Sequence, residues 1–195
     1  MTTTIYLIRH GEVNNPHNII YGRLPGFHLT DVGKKQLEDA AKYLKNKHID
    51  EIYTSPLLRA KESAGIIQKV LGLPIIHISE EILEVKTSYQ EMKFSDLDAL
   101  QSEVYLKPLN PSDETVEQIA NRMMKFIRYL IQTYPGKTIA VVSHGDPIMA
   151  VKAEIKRHSY EFLPFKTDDY IQHGEIYEIT GDKNNNFSIK AVFKP

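Results

Sequence analysis

The stretch IYLIRHGEVNNP, residues 5–16, runs apolar and β-branched and then delivers Arg9, His10 and Gly11 in succession. β-Branched and aromatic side chains dominate residues 3–8, which predicts a strand leading straight into that tripeptide. Far along the chain the pattern returns. Residues 138–144, TIAVVSH, form a continuous apolar run of the kind found in buried parallel sheets, and they end on Ser143, His144 and Gly145.

Between these two runs, strand and helix alternate. Thr30 is a predicted N-cap for a helix with Val32, Leu37, Ala40, Ala41 and Leu44 on its apolar face. IDEIYTS reads as a second strand, and Ser55 and Pro56 then supply an N-cap and a proline at the first helical position. The helix that follows carries Leu57, Ala60, Ala64, Ile67 and Leu71 inward and stops at Gly72. LPIIHI is a third short strand. Residues 80–111 keep no sustained period and read as an irregular excursion with one short helix. Ser112 opens the clearest helix, whose apolar side chains run from Val116 to Tyr134 at spacings of three and four. After TIAVVSH, Asp146 at N-cap and Pro147 at N1 open another helix, and GEIYEITGDKNNNFSIKAVF closes the chain as two strands and a polar turn. Such alternation predicts an α/β fold, a three-layer α/β/α sandwich on a mostly parallel central sheet.

The chain of 195 residues is read as one domain, 1–195, with residues 80–111 as its irregular cap. A net charge of −1 gives no electrostatic reason to expect nucleic acid or anionic lipid. The absence of cysteine excludes disulfides and thiolate metal sites. No secretory pattern and no apolar run of spanning length is present, so the expected compartment is the cytoplasm.

In parallel α/β sheets ligands bind at the carboxyl ends of the strands. There the sequence sets Arg9 and His10, then Arg59 in the first turn after the second strand, then His144 and Gly145. This set suits a phosphoryl group. Guanidinium forks match phosphate oxygens, and a helix N-terminus at Gly145 offers backbone N–H groups to an anion. A neutral imidazole can attack phosphorus while a protonated one stabilises the transferring group. RHG or SHG alone is a weak signal; both together, with Arg59, are a strong one.

LIRHGE, YGRLPGFHLTDVGKKQ, IYTSPLLRAKESA and VVSHGDPI, in that order over roughly residues 3–155, resemble the histidine phosphatase superfamily, the phosphoglycerate-mutase-like fold. The resemblance implies transient phosphorylation of His10, a phosphate pocket of Arg9, Arg59 and His144, and a general acid after the third strand. Glu84 in EEILEVKTS is the choice for that acid, one residue after Leu83; Glu80 and Glu81 are its competitors. Burial and substrate charge would raise its pKa enough to hold a proton.

Two departures are visible. Many relatives carry an Asn six residues after the nucleophile; Pro16 stands there, so Asn15, or less favourably Asn14, is expected to supply the extra donor. The Trp-Glu-Gly stretch common after the acid is replaced by SYQEMKFSDL, which leaves the substrate open. DKNNNF, residues 182–187, begins like a calcium loop but has Phe187 where glycine is required and Phe193 where the bidentate glutamate belongs. His17, His28, His48, His77, His158 and His173 show no metal-ligand spacing and are read as ordinary residues. Tyr21, Phe27, Tyr89 and Phe94 are read as packing, with the lining of a substrate pocket as the alternative.

The expectation is therefore a metal-independent phosphomonoesterase with no cofactor and a small phosphorylated substrate. The alternatives are a phosphomutase and a non-catalytic phospholigand-binding module. A mutase must grip a second anionic group, and residues 85–111 offer only Lys86 and Lys93 before Lys107. Hydrolysis is favoured.

Overall fold

The computed structural model describes residues 1–99, 108–160 and 169–195. Six strands form one sheet: β1 Thr3–Arg9, β2 Glu51–Thr54, β3 His77–Ile78, β4 Thr138–Ser143, β5 Ile176–Gly181 and β6 Phe187–Phe193, in the order β3-β2-β4-β1-β5-β6. The first four are parallel, while β5 runs antiparallel to β1 and β6 antiparallel to β5. This is the expected mostly parallel α/β sheet.

Alternation along β1 and β4 divides the core. Ile5, Leu7, Ile139 and Val141 face α4 (Val116–Thr133) and α5 (Gly145–Lys156). Tyr6, Ile8, Ala140 and Val142 face α1 (Asp31–Leu44) and α2 (Leu58–Leu71). Successive side chains of a strand point to opposite faces, so a continuous apolar run must be covered on both sides. Three layers follow.

Several boundaries differ from expectation, each for a local reason. Thr30 does cap α1, accepting from the Gly33 N–H, but Val32 is 56% exposed and leaves the apolar face to Leu37, Ala40, Ala41 and Leu44. The next helix starts at Leu58 with Leu57 at N-cap; the Ser55 hydroxyl lies 2.8 Å from His144 Nε2 and accepts from the Leu57 N–H at 3.4 Å, one residue short of the helix. Its end at Gly72, with φ 69°, is as expected for a left-handed C-cap. The long helix starts at Val116, where Thr115 and Gln118 form a reciprocal capping box that outcompetes Ser112. His144, not Asp146, is the N-cap of α5, since the Tyr170 hydroxyl donates to the Asp146 carboxylate at 2.6 Å. Only His77 and Ile78 of LPIIHI join the sheet.

The described part of the cap segment holds a 3-10 turn, Glu80–Ile82, and a short helix α3, Phe94–Ala99; residues 100–107 lie outside the described ones. It docks on the loop after β1 through the backbone, Ile20 N–H to Met92 O at 2.8 Å and Glu91 N–H to Ile20 O at 3.0 Å. Among the described residues no helix is long and apolar enough to cross a membrane.

Candidate active site

Strand register brings the two tripeptides together. Arg9 of β1 is paired with Ser143 of β4, so the residues that follow, His10 and His144, leave adjacent strand ends side by side. The His10 N–H donates to Ser143 O at 3.1 Å, and the Ser55 N–H at the end of β2 donates to Val142 O at 3.1 Å. The imidazole centroids of His10 and His144 are 5.2 Å apart, and both rings are fully buried.

The tautomer of His10 follows from its partners. Its Nδ1 lies 2.8 Å from Gly11 O, an acceptor, so Nδ1 carries the proton. Nε2 is then a bare lone pair, and it accepts from Arg59 Nε at 3.2 Å. Burial, and after it the charge of Arg59, holds the imidazole pKa well below the ordinary histidine value. A neutral imidazole with a free lone pair at Nε2 can act as a nucleophile.

Gly11 lets its loop lie flat on α1. A Cβ there would stand 2.5 Å from Gly33 O, so no larger residue fits without moving the helix. The Gly11 N–H donates to Ser63 Oγ at 3.2 Å, and Ser63 in turn donates to Arg59 O at 2.7 Å, joining the loop after β1 to α2. A Cβ on Gly145 would collide with the Tyr170 hydroxyl, so glycine at this first position of α5 also makes room for that tyrosine.

His144 is held by the Ser55 hydroxyl, 2.8 Å from its Nε2, while its Nδ1 is buried without a protein partner and 3.9 Å from Glu84 Oε2. Burial first, then Arg59, holds its pKa well below the ordinary histidine value in the free protein. Glu84 thus reaches the same site as the two histidines, whereas Glu81 is 3.2 Å from Lys125 Nζ on the surface. Burial first, then the Asp146 carboxylate, pushes the Glu84 carboxyl up to about 7, against the downward pull of Arg59 and Arg9.

The backbone of Glu84 is clamped by residues the sequence reading passed over. Arg23 Nε donates to Glu84 O at 2.7 Å and Arg122 Nη2 to the same oxygen at 3.3 Å. Glu114 bridges the two guanidiniums, 2.7 Å from Arg23 Nη2 and 2.7 Å from Arg122 Nε. Arg59 lies beneath Tyr21, its guanidinium carbon 4.7 Å from the ring centroid, so Tyr21 belongs to the site and is not mere packing. Phe27 stacks against Tyr21, Tyr89 is buried and Phe94 is half exposed.

Asn15 shapes its own loop: its Nδ2 donates one hydrogen to Ile19 O at 2.8 Å and its Oδ1 accepts from the Ile19 N–H at 3.2 Å, while the amide has a second hydrogen to give. Of the histidines read as ordinary, His173 is beside His10, with ring centroids 5.4 Å apart. The direction of β5 puts it there, and no local pattern announces an antiparallel partner for β1. Among the described residues, no group of three or more His, Asp or Glu side chains could hold a metal ion.

A family model described as the histidine phosphatase superfamily (branch 1) matches residues 5–187. The chain belongs to that superfamily. It is 32% identical over 158 residues to a protein of Bacillus subtilis named uncharacterized phosphatase PhoE, covering 78% of this chain and 77% of the relative. It is 26% identical over 200 residues to a probable phosphoglycerate mutase GpmB of Photorhabdus laumondii, covering 91% of this chain and 92% of that one. Among solved structures, Bacillus stearothermophilus YhfR superposes with a TM-score of 0.83 at 22% identity, over 97% of this chain and 96% of the other. Hydrolysis of small phosphomonoesters through a phosphohistidine is the chemistry of this histidine phosphatase.

Proposed function

We propose that His10 is the nucleophile, Glu84 the general acid and base, and Arg9, Arg59 and His144 the phosphoryl-binding side chains, with the helix N-terminus at Gly145 beside them. The observation that carries this is the state of His10 Nε2: unprotonated, buried, and set among Arg59, His144 and Glu84.

Nε2 attacks phosphorus as the ester P–O bond breaks, and the leaving oxygen takes the Glu84 proton. Water then attacks the phosphohistidine, gives its proton to the Glu84 carboxylate, and releases phosphate and a neutral His10. Arg59 must trade its hydrogen bond to Nε2 for one to a phosphoryl oxygen as substrate enters. The incoming negative charge favours protonation of His144, reversing its preference in the free protein. A carboxyl near 7 is suited to give and take a proton at neutral pH.

Hydrolysis is preferred to mutase chemistry because, in the described part of the cap, Lys86 and Lys93 are the only basic side chains between Glu84 and Ser112. The substrate is a small phosphomonoester whose alcohol meets Tyr21 and the cap. Rapid quenching with labelled substrate tests the assignment. The expected adduct is acid-labile and base-stable, and His10→Ala lacks it. Label on a serine or aspartate contradicts it. Activity that survives exhaustive chelation supports the absence of a metal from the chemistry; a loss restored by Mg²⁺ or Zn²⁺ opposes it.

A further inference from the structure

Three side-chain nitrogens are buried without a protein partner among the described residues: Arg9 Nε, His144 Nδ1 and His173 Nε2. A buried, unpaired polar atom is costly, and such atoms rarely occur together without a common reason. Here two of the three belong to rings beside His10, with centroids 5.2 Å away for His144 and 5.4 Å for His173. The phosphoryl site explains Arg9 and His144 but leaves His173 unused.

We propose that His173 is a further phosphoryl-binding side chain of this enzyme, donating from Nε2–H to an oxygen of the group transferred to His10. The inference rests on the catalytic reading above and adds a residue to it.

The backbone holds His173 in place as firmly as the two strand-end histidines. Pairing of β1 with β5 continues past the strand ends, Arg9 N–H to Glu175 O at 3.2 Å and Gly174 N–H to Arg9 O at 3.1 Å. Arg9 Nη1 donates to Ile171 O at 2.7 Å, and the Gln172 N–H donates to the Glu175 carboxylate at 2.7 Å. Lys152 of α5 anchors the start of the segment at Asp169 Oδ2, 2.7 Å away. Gly174 adopts φ 74°, and a Cβ there would stand 2.9 Å from Gln36 Cβ, so the turn that presents His173 needs glycine. Burial, then Arg9 and Arg59, pushes the His173 pKa down to about 3. Its ring is therefore neutral, with one N–H to give. A transferring phosphoryl group spreads charge over three equatorial oxygens, which leaves acceptors for a donor beyond the arginines and His144.

The test uses the full chain as wild type, His173→Leu and His173→Gln, with calorimetric titration of orthovanadate and of inorganic phosphate. Melting without ligand reports folding. Loss of one hydrogen bond to a charged acceptor should weaken vanadate about 10- to 100-fold in His173→Leu, and His173→Gln should recover to within about five-fold of wild type. A folded leucine variant that binds vanadate as wild type does, or a glutamine variant as weak as the leucine one, overturns the proposal. Should His173→Leu not fold, His173→Glu replaces it. A carboxylate must then bind vanadate far more weakly than His173→Gln, and equal affinities overturn the proposal. Labelling of wild-type His10 is read separately, so a failure of the nucleophile assignment is distinguishable from a failure at His173.

Discussion

The strand-end side of the site and the cap side are built by different means. His10 and His144 are placed by a backbone ladder: Arg9 opposite Ser143 on two buried parallel strands, with six register pairs behind them. Glu84 lies beyond a 3-10 turn in a segment with no ladder of its own, and its carbonyl is fixed by two guanidiniums and a bridging carboxylate. Ladder hydrogen bonds do not depend on side-chain identity. A clamp of Arg23, Arg122 and Glu114 depends on nothing else. Substitution along the strands should therefore move His10 little, Gly11 excepted, whereas substitution in the clamp should move Glu84 readily.

The largest effect is expected at the ladder's product. His10→Ala should lower turnover by about 10⁴-fold or more, as for removal of a covalent nucleophile elsewhere, while the fold and its melting behaviour are retained. Turnover within ten-fold of wild type would move the nucleophile elsewhere.

Next comes the acid itself. Glu84→Gln removes the proton with little change of shape, so phosphate affinity should stay near wild type. Phosphorylation of His10 by an alkyl phosphate should slow by about 10²- to 10⁴-fold, and by p-nitrophenyl phosphate much less, since nitrophenolate leaves without a proton. The same unequal pattern in Glu81→Gln instead would shift the acid along the 3-10 turn.

Breaking the clamp should give a weaker copy of that result. Arg122→Met leaves Glu114 with one guanidinium and Glu84 O with one donor. An alkyl ester should lose roughly ten-fold in single-turnover phosphorylation, with the nitrophenyl ester and vanadate affinity little changed, as expected for loss of about 1.5 kcal/mol of alignment. Equal losses on both esters would mean that Arg122 supports the whole site and not the acid alone.

The smallest effect separates fold from site. Thr115→Val deletes one arm of the capping box that opens α4, the helix bearing Arg122. Thermal unfolding should report a loss of about 1 kcal/mol, with the ratio of alkyl to nitrophenyl rates unmoved. A moved ratio would tie the cap of α4 to the acid.

The same contrast explains what could be read from sequence. β1, β4 and the helices around them carry their period in contiguous residues, so the parallel sheet and the placement of Arg9, His10, Arg59 and His144 were legible. Helix starts were less so. Ser55 and Asp146 look like caps, but one hydroxyl serves His144 and one carboxylate takes the Tyr170 hydroxyl, both partners being remote in sequence. Arg23, Arg122 and Glu114 scatter over three segments and meet only in the fold. His173 depends on the reversal of strand direction at β5, which no residue near it signals.

The central claim is that a proton held on Glu84 assists departure from phosphorus as His10 attacks. It is tested most directly by the pH dependence of His10 phosphorylation in a single turnover, as the ratio of alkyl to nitrophenyl phosphate rates. Above neutral pH both esters are dianions, so in that range the ratio reports the enzyme's group and not the substrate's. His10 is neutral across the range because its pKa is depressed, whereas Glu84, raised to about 7, loses its proton as pH rises through that value. The ratio should fall by about ten-fold per unit as pH rises above 7. In Glu84→Gln it should be low and flat. A wild-type ratio that is flat across pH 7, or a fall that persists in Glu84→Gln, would contradict the account.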